Sequence, residues 1–169
     1  MQFDINNLYS GTYPLSAGVS GPITGQAFTN GTTLSTNCID HNPSKTPFGV
    51  NQSVQAGLGE PQAVLLQVTV APVATAGTET YTVNLLTDSN SNMTTTPTTL
   101  ASLTIPRTAA VNTTYVLVLP PNLSFQRYSA LQLVTGGNAD AAISFFATLL
   151  PVRALQEWTP YQTGWVIQN

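Results

Sequence analysis

Charge is what this sequence has least of. Of 169 residues only seven are acidic and four basic, and there is one histidine and one cysteine. Charged side chains make up 7% of the chain, against roughly 25% in ordinary soluble domains. Each shortage excludes something. Four basic residues cannot form a nucleic-acid footprint, which needs clustered Lys and Arg, so no nucleic-acid partner is expected. Long surface helices carry charge on their wet face, so few or none are expected. A lone cysteine closes no internal disulfide, and Cys38, next to Ile39 on a short strand, reads as a small buried hydrophobe. A zinc centre needs several His or Cys ligands where this chain supplies one of each, so no metal and no cofactor are expected. The stretch from Met1 to Asn7 lacks the basic and apolar regions of a signal peptide. No apolar run approaches the length needed to span a bilayer. The expectation is a soluble protein made in a cytoplasm, with no membrane partner.

What is present is apolar and neutral polar. Hydrophobic residues make up 42% of the chain, and more than a third of it is Ser, Thr, Asn or Gln. That is too apolar and too weakly charged for a disordered chain, and the length suits one domain with a real core. Residues 1–33 are rich in Gly, Ser, Thr, Asn and Pro with isolated apolar positions, which predicts an extended N-terminal arm that lies on a partner. From Leu34 strand signals begin: Leu34 to Asp40, Ala63 to Val70, Thr80 to Thr87, Leu100 to Ile105, Tyr115 to Leu119, Tyr128 to Thr135 and Ala141 to Leu150. Turn material separates them, and Ala74 to Glu79 reads as a hairpin-like loop. Pro106, Pro120 and Pro121 end strands because proline has no amide to donate to the ladder. Short strands with turns at this spacing predict an all-β fold, an antiparallel jelly-roll sandwich of about eight strands over residues 34–150. The last strand is apolar on both faces, Phe146 and Leu150 joining Ser144 and Thr148 on the second, which points to burial between subunits or beneath the terminal segments. Residues 151–169 read as an irregular docking tail with Trp158, Tyr161 and Trp165.

Catalytic chemistry finds little support. Cys38, Asp40 and His41 sit close in sequence, but on a strand residues 38 and 40 share a face and 41 points away, and no nucleophile motif surrounds them. The acids are scattered singly, with no pair marked out for glycosidase work. The run Thr87-Asp88-Ser89-Asn90-Ser91-Asn92 offers oxygens at alternate positions yet lacks the sixth-position glycine and closing glutamate of a calcium loop, so an Asx-turn loop is expected. The expectation is a protein that is not an enzyme.

The order of segments carries more than any one of them. Gly57-Leu58-Gly59-Glu60-Pro61 leads into Val64-Leu65-Leu66-Gln67-Val68. Then come Thr80-Tyr81-Thr82-Val83-Asn84-Leu85-Leu86-Thr87-Asp88 and Pro97-Thr98-Thr99-Leu100-Ala101-Ser102. Further on stand Val116-Leu117-Val118-Leu119-Pro120-Pro121, and Arg127-Tyr128-Ser129-Ala130-Leu131-Gln132-Leu133 running into Gly136-Gly137. This series, with Ser35-Thr36-Asn37-Cys38-Ile39-Asp40 as a first strand, resembles the Bbp16-like capsid cement (decoration) proteins of tailed bacteriophages over about residues 34–150.

The resemblance implies a jelly-roll subunit that forms a homotrimer and sits on the outer face of an icosahedral capsid, bridging neighbouring major capsid proteins. Its place would be the virion exterior, after assembly in the host cytoplasm. On that reading Phe3, Ile5, Leu8 and Tyr9 are the candidates for capsid docking. Trp158, Tyr161 and Trp165 are candidates for docking or for bracing a neighbour, and Phe146 and Leu150 for the trimer contact. The alternative from another class is a carbohydrate-binding jelly roll used for adhesion, with the tail aromatics stacking on sugars. A third is a hydrolase built on Asp40 and His41.

Overall fold

A computed structural model of the chain describes residues 7–12, 23–41, 55–56, 61–120 and 123–156. Twelve strands and one helical turn are described: β1 (Leu8–Ser10), β2 (Gln26–Phe28), β3 (Thr32–Leu34), β4 (Ile39–Asp40), β5 (Gln55–Ala56), β6 (Gln62–Val70), β7 (Thr80–Asp88), β8 (Thr98–Ile105), β9 (Thr114–Val118), β10 (Leu123–Ser124), β11 (Tyr128–Gly136), β12 (Ile143–Pro151) and α1 (Val152–Gln156). The fold is all-β, as the turn spacing predicts, with two antiparallel sheets face to face.

Several strands share a lane. β1 and β2 both lie on the side of β12 away from β6, β1 against Ala147 and Thr148 and β2 against residues 143–145. They are two parts of one lane, and between them Thr12 and Thr24 form an antiparallel bridge. In the same way β3 and β4 occupy one lane beside β11. Four residues, 35–38, stand there against two on β11, so the lane bulges, and the Ser35 amide donates to the Leu131 carbonyl to hold the bulge in place. Counted by lane, one sheet runs β1/β2–β12–β6–β9 and the other β3/β4–β11–β7–β8. That is the strand order of a jelly roll with eight lanes. A two-stranded ribbon of β5 and β10 lies outside both sheets.

The long strands form where alternation is long. On β7, Tyr81, Val83 and Leu85 are buried in the core while Thr82 and Asn84 point out. On β6, Val64, Leu66 and Val68 face inward, and on β12 Ile143, Phe145, Ala147 and Leu149 do. Phe28 of β2 stacks on Phe145, ring centroids 4.3 Å apart and nearly parallel. Two glycines allow the first lane to lie this close. A Cβ on Gly25 would fall 2.0 Å from the Thr69 hydroxyl and 2.9 Å from the Phe145 backbone; on Gly11, whose φ is +83°, it would strike the Thr24 carbonyl.

Four expectations are corrected. Residues 8–10, 26–28 and 32–34, placed in an arm, are strands of the sandwich, because their spaced apolar side chains (Tyr9 and Phe28 above all) insert into the core one by one. The strand expected over 34–40 is split by the bulge. The loop 74–79 is not a hairpin, since β6 and β7 belong to opposite sheets and it arches between them. Gly77 takes φ +76° in that arch, and the Glu79 carboxylate accepts the Ala76 amide at 2.6 Å. Finally, Val152–Gln156 at the start of the tail forms one turn of helix.

Candidate interaction surfaces

The outward face of the β1/β2–β12–β6–β9 sheet is arranged in rows. Register places Val118, Ala63 and Leu150 in one row, and Val116, Leu65, Thr148 and Leu8 in the next. Thr114, Gln67 and Phe146 form the third. The face is therefore largely apolar, as the two-sided pattern of the last strand predicts. Its inner columns are buried within the single chain: Leu8, Ala63, Leu65, Phe146 and Leu150 are all covered, Phe146 completely. Only the β9 column is open, with Val116 40% and Val118 57% exposed. Among the described residues, Val70 and Val111 are the other exposed large apolar ones.

These positions decide how the candidate residues stand. Leu8 and Tyr9, expected to dock on a capsid, are buried in this subunit, Leu8 under the outer face and Tyr9 in the core between the sheets. Phe146 and Leu150, expected at a trimer contact, are likewise already covered within the chain, so neither offers surface to a neighbour. The reasons differ: Tyr9 alternates into the core between the sheets, while Leu8, Phe146 and Leu150 lie on the outer face, which the chain itself covers at these positions. Phe3, Ile5, Trp158, Tyr161 and Trp165 lie outside the described residues. The exposed valines of β9 were missed by reading the sequence, although Tyr115 and Leu117 alternate inward around them and mark Val116 and Val118 as outward.

The cluster near Cys38 is taken apart by the fold. Cys38 packs against Leu86, Met93 and Ala130 on the outer face of the other sheet, as a small apolar residue, and burial pushes its thiol pKa up. Asp40 is exposed and forms an ion pair with Arg127 at 3.2 Å. His41 turns the other way. Its Nε2 lies 2.7 Å from the Ser129 hydroxyl and its ring stacks on Phe125, centroids 4.4 Å apart. Ser129 is fully buried, and its oxygen also lies 2.8 Å from the Tyr9 hydroxyl. This Ser–His pair thus faces the core. Ser129 stands 88 residues from His41 in the chain, with no local motif to announce it.

The loop after β7 is the Asx-turn structure that its sequence predicts. The Asp88 carboxylate accepts the amides of Asn90, Thr95 and Thr96 and the Ser89 hydroxyl. Burial pushes its pKa up, but those amides outweigh burial and hold it below the usual carboxylate value. Among the described residues no three His, Cys, Asp or Glu side chains gather where they could hold a metal ion.

No curated protein matches the chain. A model of the Bbp16 family matches residues 23–148. That span takes in β2 through almost all of β12 and so covers both sheets, reaching eleven residues further toward the N-terminus than the segment resemblance indicates. The chain belongs to the Bbp16 family, a family of phage-associated structural proteins.

Proposed function

We propose that this protein is a capsid cement subunit: a homotrimer on the outer surface of an icosahedral phage capsid, where it bridges neighbouring copies of the major capsid protein and stabilises the shell. The observation that carries this reading is the extent of the family match, which runs from β2 through most of β12, and so through strands of both sheets, rather than over one motif. The physical character of the chain supports it. A cement protein works by adding binding area, and a surface with so few charges lets many identical copies crowd a shell without long-range repulsion. Three linked subunits multiply a modest single-site contact into firm attachment. The reading asks for no catalytic group, and the Ser129–His41 pair is turned into the core.

The test is reconstitution. Purified protein is added to capsids that lack it, and binding is followed by co-sedimentation while sedimentation equilibrium gives the free oligomer. Saturable binding by a trimer, with capsids that withstand a higher temperature once decorated, is the expected result. A monomer that leaves the shells bare overturns the proposal.

A further inference from the structure

The hydrogen-bonded chain Tyr9–Ser129–His41 crosses the sandwich from one sheet to the other. Tyr9 is on β1 in the first sheet, Ser129 on β11 in the second, and His41 closes the β4 lane beside it. Tyr9 and Ser129 are both fully buried, so neither hydroxyl has water to fall back on. One arrangement satisfies both. Tyr9 donates to the Ser129 oxygen, Ser129 donates to His41 Nε2, and the histidine is neutral with its proton on Nδ1. A second contact depends on the same region, since the Asn37 amide donates to the Tyr9 carbonyl at 3.1 Å.

Protonating His41 breaks this arrangement. Nε2 then carries a hydrogen and must donate to Ser129. The serine hydrogen must turn away, and it can only aim at the Tyr9 oxygen, which displaces the tyrosine hydrogen, or at nothing. Either way one buried hydroxyl hydrogen loses its acceptor, and unmet buried donors are strongly disfavoured. We propose that this chain is an acid-released latch, holding the N-terminal strand β1 against the opposite sheet while His41 is neutral and letting it loosen when His41 takes up a proton. The inference is independent of the cement reading.

The surrounding charges do not relieve the conflict. On its own lane His41 follows Cys38 and Asp40, and the Asp40 carboxylate is engaged by the Arg127 guanidinium, which also lies over the Tyr128 ring. From β7, Asp88 sits opposite Tyr128 in register. Burial lowers the His41 pKa to about 4, against a weaker upward pull from Asp40. Cys38 and Tyr9 are pushed up by burial and Asp88 is held down, so none of these three titrates between pH 5 and 7. The sign follows from linkage. The folded pKa lies below the free value of 6.5, so stability is whole above that value and declines as pH falls from 6.5 toward 4. Between pH 7 and 5 the opening equilibrium of any unit that exposes His41 rises by up to about 20-fold.

Hydrogen exchange on the full-length protein reads this directly, because His41 is the only histidine in the chain. From pH 7 to pH 5 the protection factors of the Ser10 and Asn37 amides are expected to fall by roughly ten- to 20-fold. Amides in the centre of the β7–β11 ladder are expected to change less than twofold. In His41→Gln, which offers an acceptor but does not titrate, the Ser10 and Asn37 values stay flat with pH. Ser129→Ala cuts the link between His41 and Tyr9, so Ser10 and Asn37 are expected to start at a lower level of protection already at pH 7. The latch is overturned if protection falls equally in every strand, if it does not fall in the wild type, if the fall survives in His41→Gln, or if Ser129→Ala leaves Ser10 and Asn37 as protected at pH 7 as in the wild type.

Discussion

Phe28→Ala separates a strand of the sandwich from an arm that rests on something else. If residues 23–33 were an arm, truncating this ring would leave the stability of the isolated protein almost untouched. In the structure Phe28 is fully buried, belongs to the main core and stacks on Phe145 with centroids 4.3 Å apart. Phe→Ala in a close-packed core removes the transfer energy of the ring and leaves a cavity, together about 3–5 kcal/mol. The site has little means of collapsing, because the backbone of Phe145 already touches Gly25 and cannot move in. We therefore expect the upper half of that range, about 4 kcal/mol. For a domain of this size each kcal/mol shifts Tm by about 2–4 °C, so Tm falls by roughly 8–16 °C. Calorimetry or urea unfolding at one fixed protein concentration measures it, the concentration being held because assembly contributes to apparent stability. A double-mutant cycle with Phe145→Leu is expected to return about 0.5–1.5 kcal/mol of coupling for the ring pair. A loss below about 1 kcal/mol for Phe28→Ala, within the range of ordinary surface substitutions, would refute the integration of β2 into the core.

Two further substitutions probe the same reasoning at other points. Gly25→Ala places a methyl group against both the Thr69 hydroxyl and the Phe145 backbone, and overpacking of this kind costs about 1–3 kcal/mol in a urea melt. Thr69→Ala relieves only the first clash, so the double variant is expected to remain less stable than Thr69→Ala alone. Asp88→Asn removes a carboxylate whose folded pKa is held below its usual value. Such a group stabilises above its unfolded pKa and ceases to do so as pH falls through the folded one. The wild type should therefore lose stability on acidification below about pH 4, and Asp88→Asn should be less stable at pH 7 but lose less over the same acid range. Equal acid sensitivity in the two proteins, measured by chemical unfolding at pH 7 and pH 3, would remove Asp88 as the loop's organiser.

Six strands were legible because alternation persists over enough residues to be told from chance. β7 offers three apolar positions in register with three polar ones, and β11 and β12 match it in length. The first two lanes were not legible for the opposite reason. Each is divided into pieces of two or three residues, one lane into β1 and β2 with fifteen residues between them and the other by a bulge at 35–38, and no period is visible in so short a window. The arch at 74–79 resembles a hairpin in sequence because both need the same turn residues; only the identity of the next lane distinguishes them. With the candidate surfaces the difficulty is one of cover. That Phe146 and Leu150 lie on an apolar second face follows from alternation, but whether the subunit or a neighbour fills that face depends on contacts distant in sequence. The Ser129–His41 contact is hidden for the same reason.

The two sides of the sandwich also differ in how they treat their edges, which bears on where neighbours meet. An exposed strand edge offers unpaired amides and carbonyls to any passing strand, and natural edges are blunted by charge, proline, bulges or brevity. The β1/β2 and β3/β4 side is blunted by its own interruptions, and Asp40 and Arg127 add charge at one end of it. On the other side β8 runs for eight residues with one irregularity in its pairing to β7, and β9 for five with none. Neither contains a charged residue or a proline. Among the described residues neither has a second strand neighbour, and β9 carries the two open valines of the apolar face. A monomer alone in solution gains nothing from such an edge and risks aggregation through it. A subunit that spends its life among copies of itself has a use for it, since a surface without charge meets its own copy without repulsion. Under the cement proposal, the trimer contact first assigned to Phe146 and Leu150 moves outward along the same sheet, from the filled lane of β12 to its free margin at β9.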